Sequence, residues 1–330
     1  MNCLEVTPDS VRCPECACSF ALSPPGIIHF FTGSSEQNEH FDRLYGAGHG
    51  SRLDEVSHGA NSAYDNCVEA AGSYLKVCGI DPGTPVCGLS ILDVACGAGW
   101  VTAGLFLNPN VRDCQLHASD ISPHGLHLLG DVTARAKVSN RLEMSVQNAE
   151  SMMFGDASFD VIIGSSMLHH LNDYERFLGD CRRILKPAGV ATFGEPFAVG
   201  YGIGVGALKL ASQRLGIRYQ ALDALHKDIL CRIRADKELI PVLVDKHLFL
   251  HSAFLAAAQR AGFCDVQFVP RVSRDYHRTH FITDLLNGIG ISDDALAAEA
   301  TGIYQTMFEV FDADSFGLSV AHFIQIVLRA

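Results

Sequence analysis

From Ser90 to Glu195 short apolar runs alternate with segments of helical periodicity; the runs are Ser90 to Ala95, Gln115 to Ser119, Leu142 to Gln147, Phe159 to Ser165 and Gly189 to Glu195. Runs that stay apolar at successive positions mark strands covered on both faces. Helices between them give the βαβ rhythm of a parallel sheet. Ser122 before Pro123 is a helix N-cap with proline in the first turn, and Asn172 with Glu175 three residues on has capping-box spacing. Crossovers between parallel strands are right-handed, so this order predicts a doubly wound α/β sheet. Its loops, and any ligand, gather at the carboxyl ends of the strands.

The rhythm breaks twice. Residues 197–250 read as mostly helical and begin with the alternation Gly200, Gly202, Gly204, Gly206. His251 to Ala261 then reads as a helix, Cys264 to Val269 as a strand and Ala321 to Leu328 as a final strand, with a second helical insertion at about 271–318. Both insertions leave the sheet at its later strands. The first, which follows Glu195, is expected to overhang the ligand end as a lid and to carry substrate choice. Ahead of the sheet, helices near Glu36 to Leu44 and Ser62 to Val77, separated by the glycine-rich Gly46 to Gly50, are expected to cap it. Residues 1–35 hold Cys3, Cys13, Cys16, Cys18, Pro24 and Pro25, a loop-rich segment too short to bury its own core. Three parts result: a cysteine-containing segment at 1–35, a helical cap at 36–85 and a main domain at 86–330.

Composition narrows the function classes. With 48% hydrophobic and 19% charged residues in 330, the chain is globular. Lys plus Arg is 25 and Asp plus Glu is 37, a net charge of −12 that repels phosphate backbones and anionic membranes. No nucleic-acid partner and no membrane are therefore expected. Neither a basic, apolar leader nor an uncharged apolar run of the roughly 20 residues that span a bilayer occurs, which predicts a cytoplasmic protein. The 12 cysteines are scattered through periodic segments, and most read as reduced, buried hydrophobes.

The strongest chemical signal is Ile91-Leu92-Asp93-Val94-Ala95-Cys96-Gly97-Ala98-Gly99-Trp100, an apolar strand carrying an acid near its end, then a small-residue turn that opens a helix. Gly97 and Gly99 let a ligand approach the backbone. A dinucleotide fingerprint needs a third glycine where Thr102 stands, and Asp93 would repel a pyrophosphate. A ligand bearing an ammonium and a sulfonium would instead gain from that acid, which favours S-adenosylmethionine. Asp120 ends the second strand, where a carboxylate can take two ribose hydroxyls. Asn148, Ala149 and Glu150 follow the third strand, where an amide and a backbone group can read an adenine edge. Ser165, Ser166, His169 and His170 follow the fourth, beside the reactive methyl.

With these residues the sequence resembles the class I S-adenosylmethionine-dependent methyltransferases, from about Glu36 to Ala330. The carriers are LDVACGAG at 92–99, SDIS at 119–122, NAE at 148–150, FDVIIGSSMLHHL at 159–171 and LKPAGV at 185–190. The resemblance implies a seven-stranded Rossmann-like sheet in order 3-2-1-4-5-7-6, the last strand antiparallel. It places the cofactor against Asp93, Ala95, Cys96, Gly97, Gly99, Asp120, Ile121, Asn148, Ala149 and Ser165. Ala95 replaces the usual first glycine, and Asn148 stands where an acid is common.

The family's reaction is in-line displacement of the sulfonium methyl by an O, N, C or S nucleophile. The protein supplies alignment, a dry pocket and sometimes a base. His170 is the first candidate for that base and His169 the second; a role in shaping the pocket or capping the helix is the equal alternative for each. Cys13-Pro14-Glu15-Cys16, with Cys3 and Cys18, resembles a degenerate zinc ribbon and is read as a remnant without metal rather than a closed zinc site. Arg271, Arg274, His277, Arg278 and His280, with Lys227, Arg232, Arg234 and Lys237, form either a solvated basic face or a locally positive cleft for an anionic substrate. A small-molecule acceptor is expected, in specialised-metabolite or cofactor biosynthesis. The rivals are an rRNA or tRNA methyltransferase and a protein that binds S-adenosylmethionine without methylating or that scaffolds a complex.

Overall fold

The structure is a computed structural model that describes residues 5–14, 16–31, 36–45, 56, 62–136, 138–234, 243–271, 280–312 and 321–330. Four short strands come first, β1 (Glu5–Val6), β2 (Ser10–Arg12), β3 (Ser19–Ser23) and β4 (Ile27–His29), then α1 (Glu36–Leu44) and α2 (Ser62–Val77). The alternating region follows as β5 (Val86–Cys87), β6 (Ser90–Val94), α3 (Trp100–Leu107), β7 (Val111–Arg112), β8 (Gln115–Asp120), α4 (Pro123–Thr133), β9 (Arg141–Val146), β10 (Phe159–Ser165), α5 (Tyr174–Ile184) and β11 (Leu185–Pro196). The chain ends with α6 (Ala198–Leu215), α7 (Gln220–Arg234), α8 (His251–Arg260), β12 (Asp265–Pro270), α9 (Phe281–Gly288), α10 (Asp294–Asp312) and β13 (Phe323–Arg329).

One sheet runs β1-β2-β3-β4-β9-β8-β6-β10-β11-β13-β12. Counting from β6, its last seven strands lie in the order 3-2-1-4-5-7-6. Strands β6, β8, β9, β10 and β11 are parallel, and β13 is antiparallel to both β11 and β12. Successive residues point to opposite faces. Leu92 and Ile162 pack with Phe177, Leu178 and Phe254 of α5 and α8, whereas Ile91, Val161 and Ile163 pack with Tyr74, Leu75 and Leu105 of α2 and α3. Two-sided burial is why these strands lack polar alternation.

Three local expectations need correction. The N-terminal segment is not a loop-rich patch: β4 adds to the sheet edge parallel to β9, with Ile27 opposite Met144, and β3, β2 and β1 continue it antiparallel. Ile27 is fully buried among Leu126, Leu129 and Met144, which is how so short a segment finds a core. The cap of α5 is Asp173 rather than Asn172: the Asp173 side chain accepts from the Arg176 amide at 2.9 Å, while the Asn172 amide donates to Glu150. Strand β11 begins at Leu185, the ladder jumping from Phe159–Leu185 to Val161–Val190, so Lys186 to Gly189 bulge outward.

The insertion helices build a core of their own. Ala207, Leu208, Phe281, Leu285, Ala300 and Tyr304 of α6, α9 and α10 form one buried cluster. No helix among the described residues is long and apolar enough to cross a membrane. The expected linker Gly46 to Gly50 lies outside the described residues, as do Cys3, Lys237, Arg274, His277 and Arg278.

Candidate functional site

Three carboxylates close the inner strands at their carboxyl ends. Asp93 of β6 is 3% exposed, Asp120 of β8 5%, and Glu195 of β11 is fully buried. Acids in such positions need donors. Asp93 Oδ2 accepts from the Thr102 hydroxyl at 2.6 Å, so the residue that breaks the dinucleotide fingerprint is the one that steadies the acid. Asp120 accepts from the Gly97 amide through Oδ2 and from the Ser122 amide through Oδ1, both at 2.8 Å. That carboxylate ties the glycine turn to the start of α4. Burial pushes Asp93 up to about 7 and Asp120 to about 6, the Asp42 carboxylate adding to the second shift. Both therefore change charge close to neutral pH.

The turn after β6 winds through left-handed backbone at Ala95, Gly97 and Gly99, with φ of 50, 58 and 86°. Ala95 occupies that region in place of the family's glycine and bears a conformational cost for its Cβ. Cys96 is half-buried, and desolvation with the Asp93 and Asp120 carboxylates beside it pushes its thiol far up, which leaves it a poor nucleophile. After β9, Asn148 Oδ1 accepts from the Glu150 amide at 2.9 Å and starts a short 3-10 turn over Ala149–Ser151. The Asn148 oxygen is therefore occupied, leaving its NH2 for an adenine edge.

Most of these groups border one cavity of about 520 Å³ at the carboxyl ends of the strands, Glu195 lying outside its lining. Asp93, Ala95, Cys96, Gly97, Asp120, Ile121, Asn148, Ala149, Ser165 and His170 line it; Gly99 and His169 do not. Gly99 instead packs under Leu129, whose side chain lies within 2.6 Å of where a Cβ would stand.

Among the described residues the cover of the cavity is not the expected lid. Among the described residues, none from 197–250 lines it, and Arg271 is the sole contribution from the second insertion. Helix α1 forms the wall instead through Gln37, Phe41, Leu44 and the following Tyr45, spaced to share one helix face. Gln37 donates to the His170 carbonyl at 3.1 Å, and the Asn38 side chain donates to the Ile121 carbonyl. The Tyr45 hydroxyl reaches the glycine turn at Gly97. The first insertion reaches this region from behind. Val244 to Phe249 run beside the histidine turn, the Lys246 and His247 amides donating to the His169 carbonyl.

The two histidines have separate surroundings. His169 is buried, and its Nδ1 lies 2.7 Å from Glu195 Oε2. His170 Nδ1 donates to the Val244 carbonyl at 3.0 Å, which leaves the lone pair on Nε2. Burial, with His169 beside it, pulls His170 down to about 4, so it is neutral at pH 7. His169, His170 and Asp245 bring ligand atoms within 4.8 Å of one another, a set that Cys13, Cys16 and Cys18 do not form. A His170 nitrogen that donates to Val244 has no lone pair for a metal there.

Of the cationic residues singled out in the sequence, Arg232 is paired with Asp228 and Asp245, and Arg271 alone lines the cavity among those described. Motif reading missed the α1 residues that line the cavity, and Glu195 and Tyr74, which hold its lining residues Met167 and Arg271. Glu195 ends an apolar strand just as Asp120 does, and the α1 set is spaced at one helix face.

The strand order, with three loops meeting at the carboxyl ends of the strands, is that of the class I S-adenosylmethionine-dependent methyltransferase fold. Residues 92–193 match the family model of the methyltransferase domain. The chain is 32% identical over 111 residues to a mitochondrial ubiquinone biosynthesis O-methyltransferase of Rattus norvegicus, covering 33% of this chain and 31% of that one. It is 28% identical over 173 residues to the phthiotriol/phenolphthiotriol dimycocerosates methyltransferase of Mycobacterium leprae, covering 52% and 60%. The chain thus spans less than two thirds of these relatives' lengths. Its fold is similar to that of Haemonchus contortus phosphoethanolamine N-methyltransferase 2 in complex with S-adenosyl-L-methionine. That match has a TM-score of 0.51 at 15% identity and covers 91% of this chain and 61% of that one.

Proposed function

We propose that this protein transfers the methyl group of S-adenosylmethionine to a small-molecule acceptor enclosed beneath α1. The observation that carries the reading is the pair of buried acids, Asp93 and Asp120, on the wall of one cavity beside the glycine turn. In this reading Asp93 faces the cationic amino-acid end of the cofactor, Asp120 the ribose, and Asn148 with Ala149 the adenine. A volume of about 520 Å³ suits small ligands. The O-methyltransferase relatives make a hydroxyl the first acceptor class to screen. Incubating the protein with S-adenosylmethionine and a panel of phenols, amines and activated methylenes tests this. Cofactor binding without transfer to any acceptor would support the scaffolding alternative, and steeply salt-dependent RNA binding the RNA-directed one.

Charge linkage gives a second test. At pH 5.5 most of both acids carry protons, and at pH 8 both are largely ionised. Affinity for the sulfonium-bearing cofactor should rise about fivefold relative to its neutral-sulfur product between pH 5.5 and 8. Calorimetric titrations at both pH values check it; parallel profiles for the two compounds, which share the ammonium, would remove the acids from recognition of the sulfonium charge. In the ligand-free protein the sign reverses. Each acid holds its proton more tightly folded than unfolded, so that stabilising contribution is complete below about pH 4 and disappears as pH rises through 6 to 7.

His170 is assigned the base role, with Nε2 receiving the acceptor's proton. An imidazole pulled down to about 4 is a weak base, so its share lies below the usual hundredfold. His170→Ala should lower turnover about tenfold with cofactor affinity within twofold. Unchanged turnover would make His170 part of the pocket wall only.

A further inference from the structure

Arg271 follows β12 and reaches the cavity wall. Its guanidinium carbon stands 4.2 Å over the Tyr74 ring, and its Nη1 donates to the Tyr74 hydroxyl and, at 3.0 Å, to Gln325 Oε1. Both partners are fixed. Tyr74 is fully buried, and the Gln325 amide nitrogen donates to the Thr192 hydroxyl at 2.6 Å, which turns its oxygen toward Arg271. Among the described residues no carboxylate lies within 4.0 Å of Arg271, and none accepts a hydrogen bond from its Nε or Nη2. A guanidinium held by neutral acceptors on one nitrogen has no counter-ion among the described residues and leaves Nε and Nη2 unengaged, the pair that can take a carboxylate through two parallel hydrogen bonds. The same cavity carries Asp93, so its wall offers an anion acceptor and a cation acceptor.

We infer that Arg271 is a carboxylate-binding residue of the cavity, with Tyr74 and Gln325 as positioning residues that orient its fork. Two sources share this chemistry, and attribution to the first rests on the cofactor reading above. One is the amino-acid end of the cofactor, its ammonium toward Asp93 and its carboxylate on Arg271. The other is an acceptor molecule that bears a carboxylate.

The test compares S-adenosylhomocysteine with 5′-methylthioadenosine, which keeps the nucleoside and thioether but lacks the amino-acid end, on wild type, Arg271→Gln and Arg271→Lys. It then compares benzoate with benzamide on the S-adenosylhomocysteine complex by ligand-detected NMR. If the cofactor supplies the carboxylate, Arg271→Gln weakens S-adenosylhomocysteine at least tenfold and methylthioadenosine less than twofold. If the acceptor supplies it, S-adenosylhomocysteine is held as before, wild type prefers benzoate to benzamide, and Arg271→Gln loses that preference. Arg271→Lys, with the charge but not the fork, should fall between wild type and Arg271→Gln in either case. Equal weakening of both nucleosides in Arg271→Gln means a structural role and overturns the inference, as does a variant indistinguishable from wild type with every probe. Failure of both nucleosides to bind wild type would instead overturn the cofactor reading itself.

Discussion

Replacing Glu195 with alanine is expected to lower the unfolding free energy by about 3 to 5 kcal/mol, a loss on the scale of breaking a buried charged network. Glu195 is fully buried at the end of β11 and serves the turn that follows its neighbour β10. Its Oε1 accepts from the amides of Met167 and Leu168 at 2.9 and 2.8 Å. Its Oε2 accepts from the His169 amide at 3.3 Å and faces His169 Nδ1 at 2.7 Å. Alanine would strip these groups of their acceptor, and each buried donor left alone costs about 1 to 3 kcal/mol. Relaxation of the turn or an entering water recovers part of that sum, which keeps the expected loss below the full total. Glu195→Gln retains the volume and one acceptor oxygen but turns an NH2 toward groups that also donate, so it should fall between wild type and alanine. Urea unfolding of the ligand-free proteins checks the order. A loss under about 1 kcal/mol for Glu195→Ala would mean that the Val244 to Phe249 segment, not Glu195, holds the histidine turn.

The residues around Asp93 and Asp120 could be read from sequence because their placement is local. Each stands at or near the end of an apolar run before a turn and helix, and right-handed crossovers bring such ends together. Glu195 carries the same signal but answers to a neighbouring strand's turn, a pairing that only the strand order reveals. Helix α1 was legible as a helix, yet its role as the cavity wall depends on which surface Gln37, Phe41, Leu44 and Tyr45 meet. The insertions were legible as helical but not as a separate packing unit, since the contacts of Phe281 and Tyr304 with α6 cross long stretches of chain. Strands β1 to β4 have two to five residues each, too few for a period to show. At α5, adjacent Asn172 and Asp173 were both competent caps. Glu150 decides between them by engaging the Asn172 amide and accepting the Asp173 N–H.

Gly125→Ala should reduce affinity for S-adenosylhomocysteine about a hundredfold while changing stability by no more than about 2 kcal/mol. Gly125 lies in the first turn of α4, and a Cβ there would stand 2.5 Å from the Gly97 carbonyl oxygen and 2.8 Å from its carbon. Those are backbone atoms and cannot rotate away. Two effects on stability oppose each other: alanine favours a helix over glycine by about 1 kcal/mol, and overpacking costs about 1 to 3 kcal/mol. Binding has no such compensation. Asp120 bridges the Gly97 and Ser122 amides, so separating α4 from the glycine turn pulls apart the two edges that Asp120 joins. A displacement of about 1 Å in positioned groups costs on the order of a hundredfold. Gly179→Ala in α5 is the matched control, because nothing lies within 4 Å of the added methyl. It should gain stability from helix propensity and bind S-adenosylhomocysteine as wild type does. Titration calorimetry with urea unfolding on both variants separates the effects. Equal affinities for the two would mean that α4 and the glycine turn can part without disturbing the cavity, and the load would then fall on Tyr45 and the rest of the α1 wall.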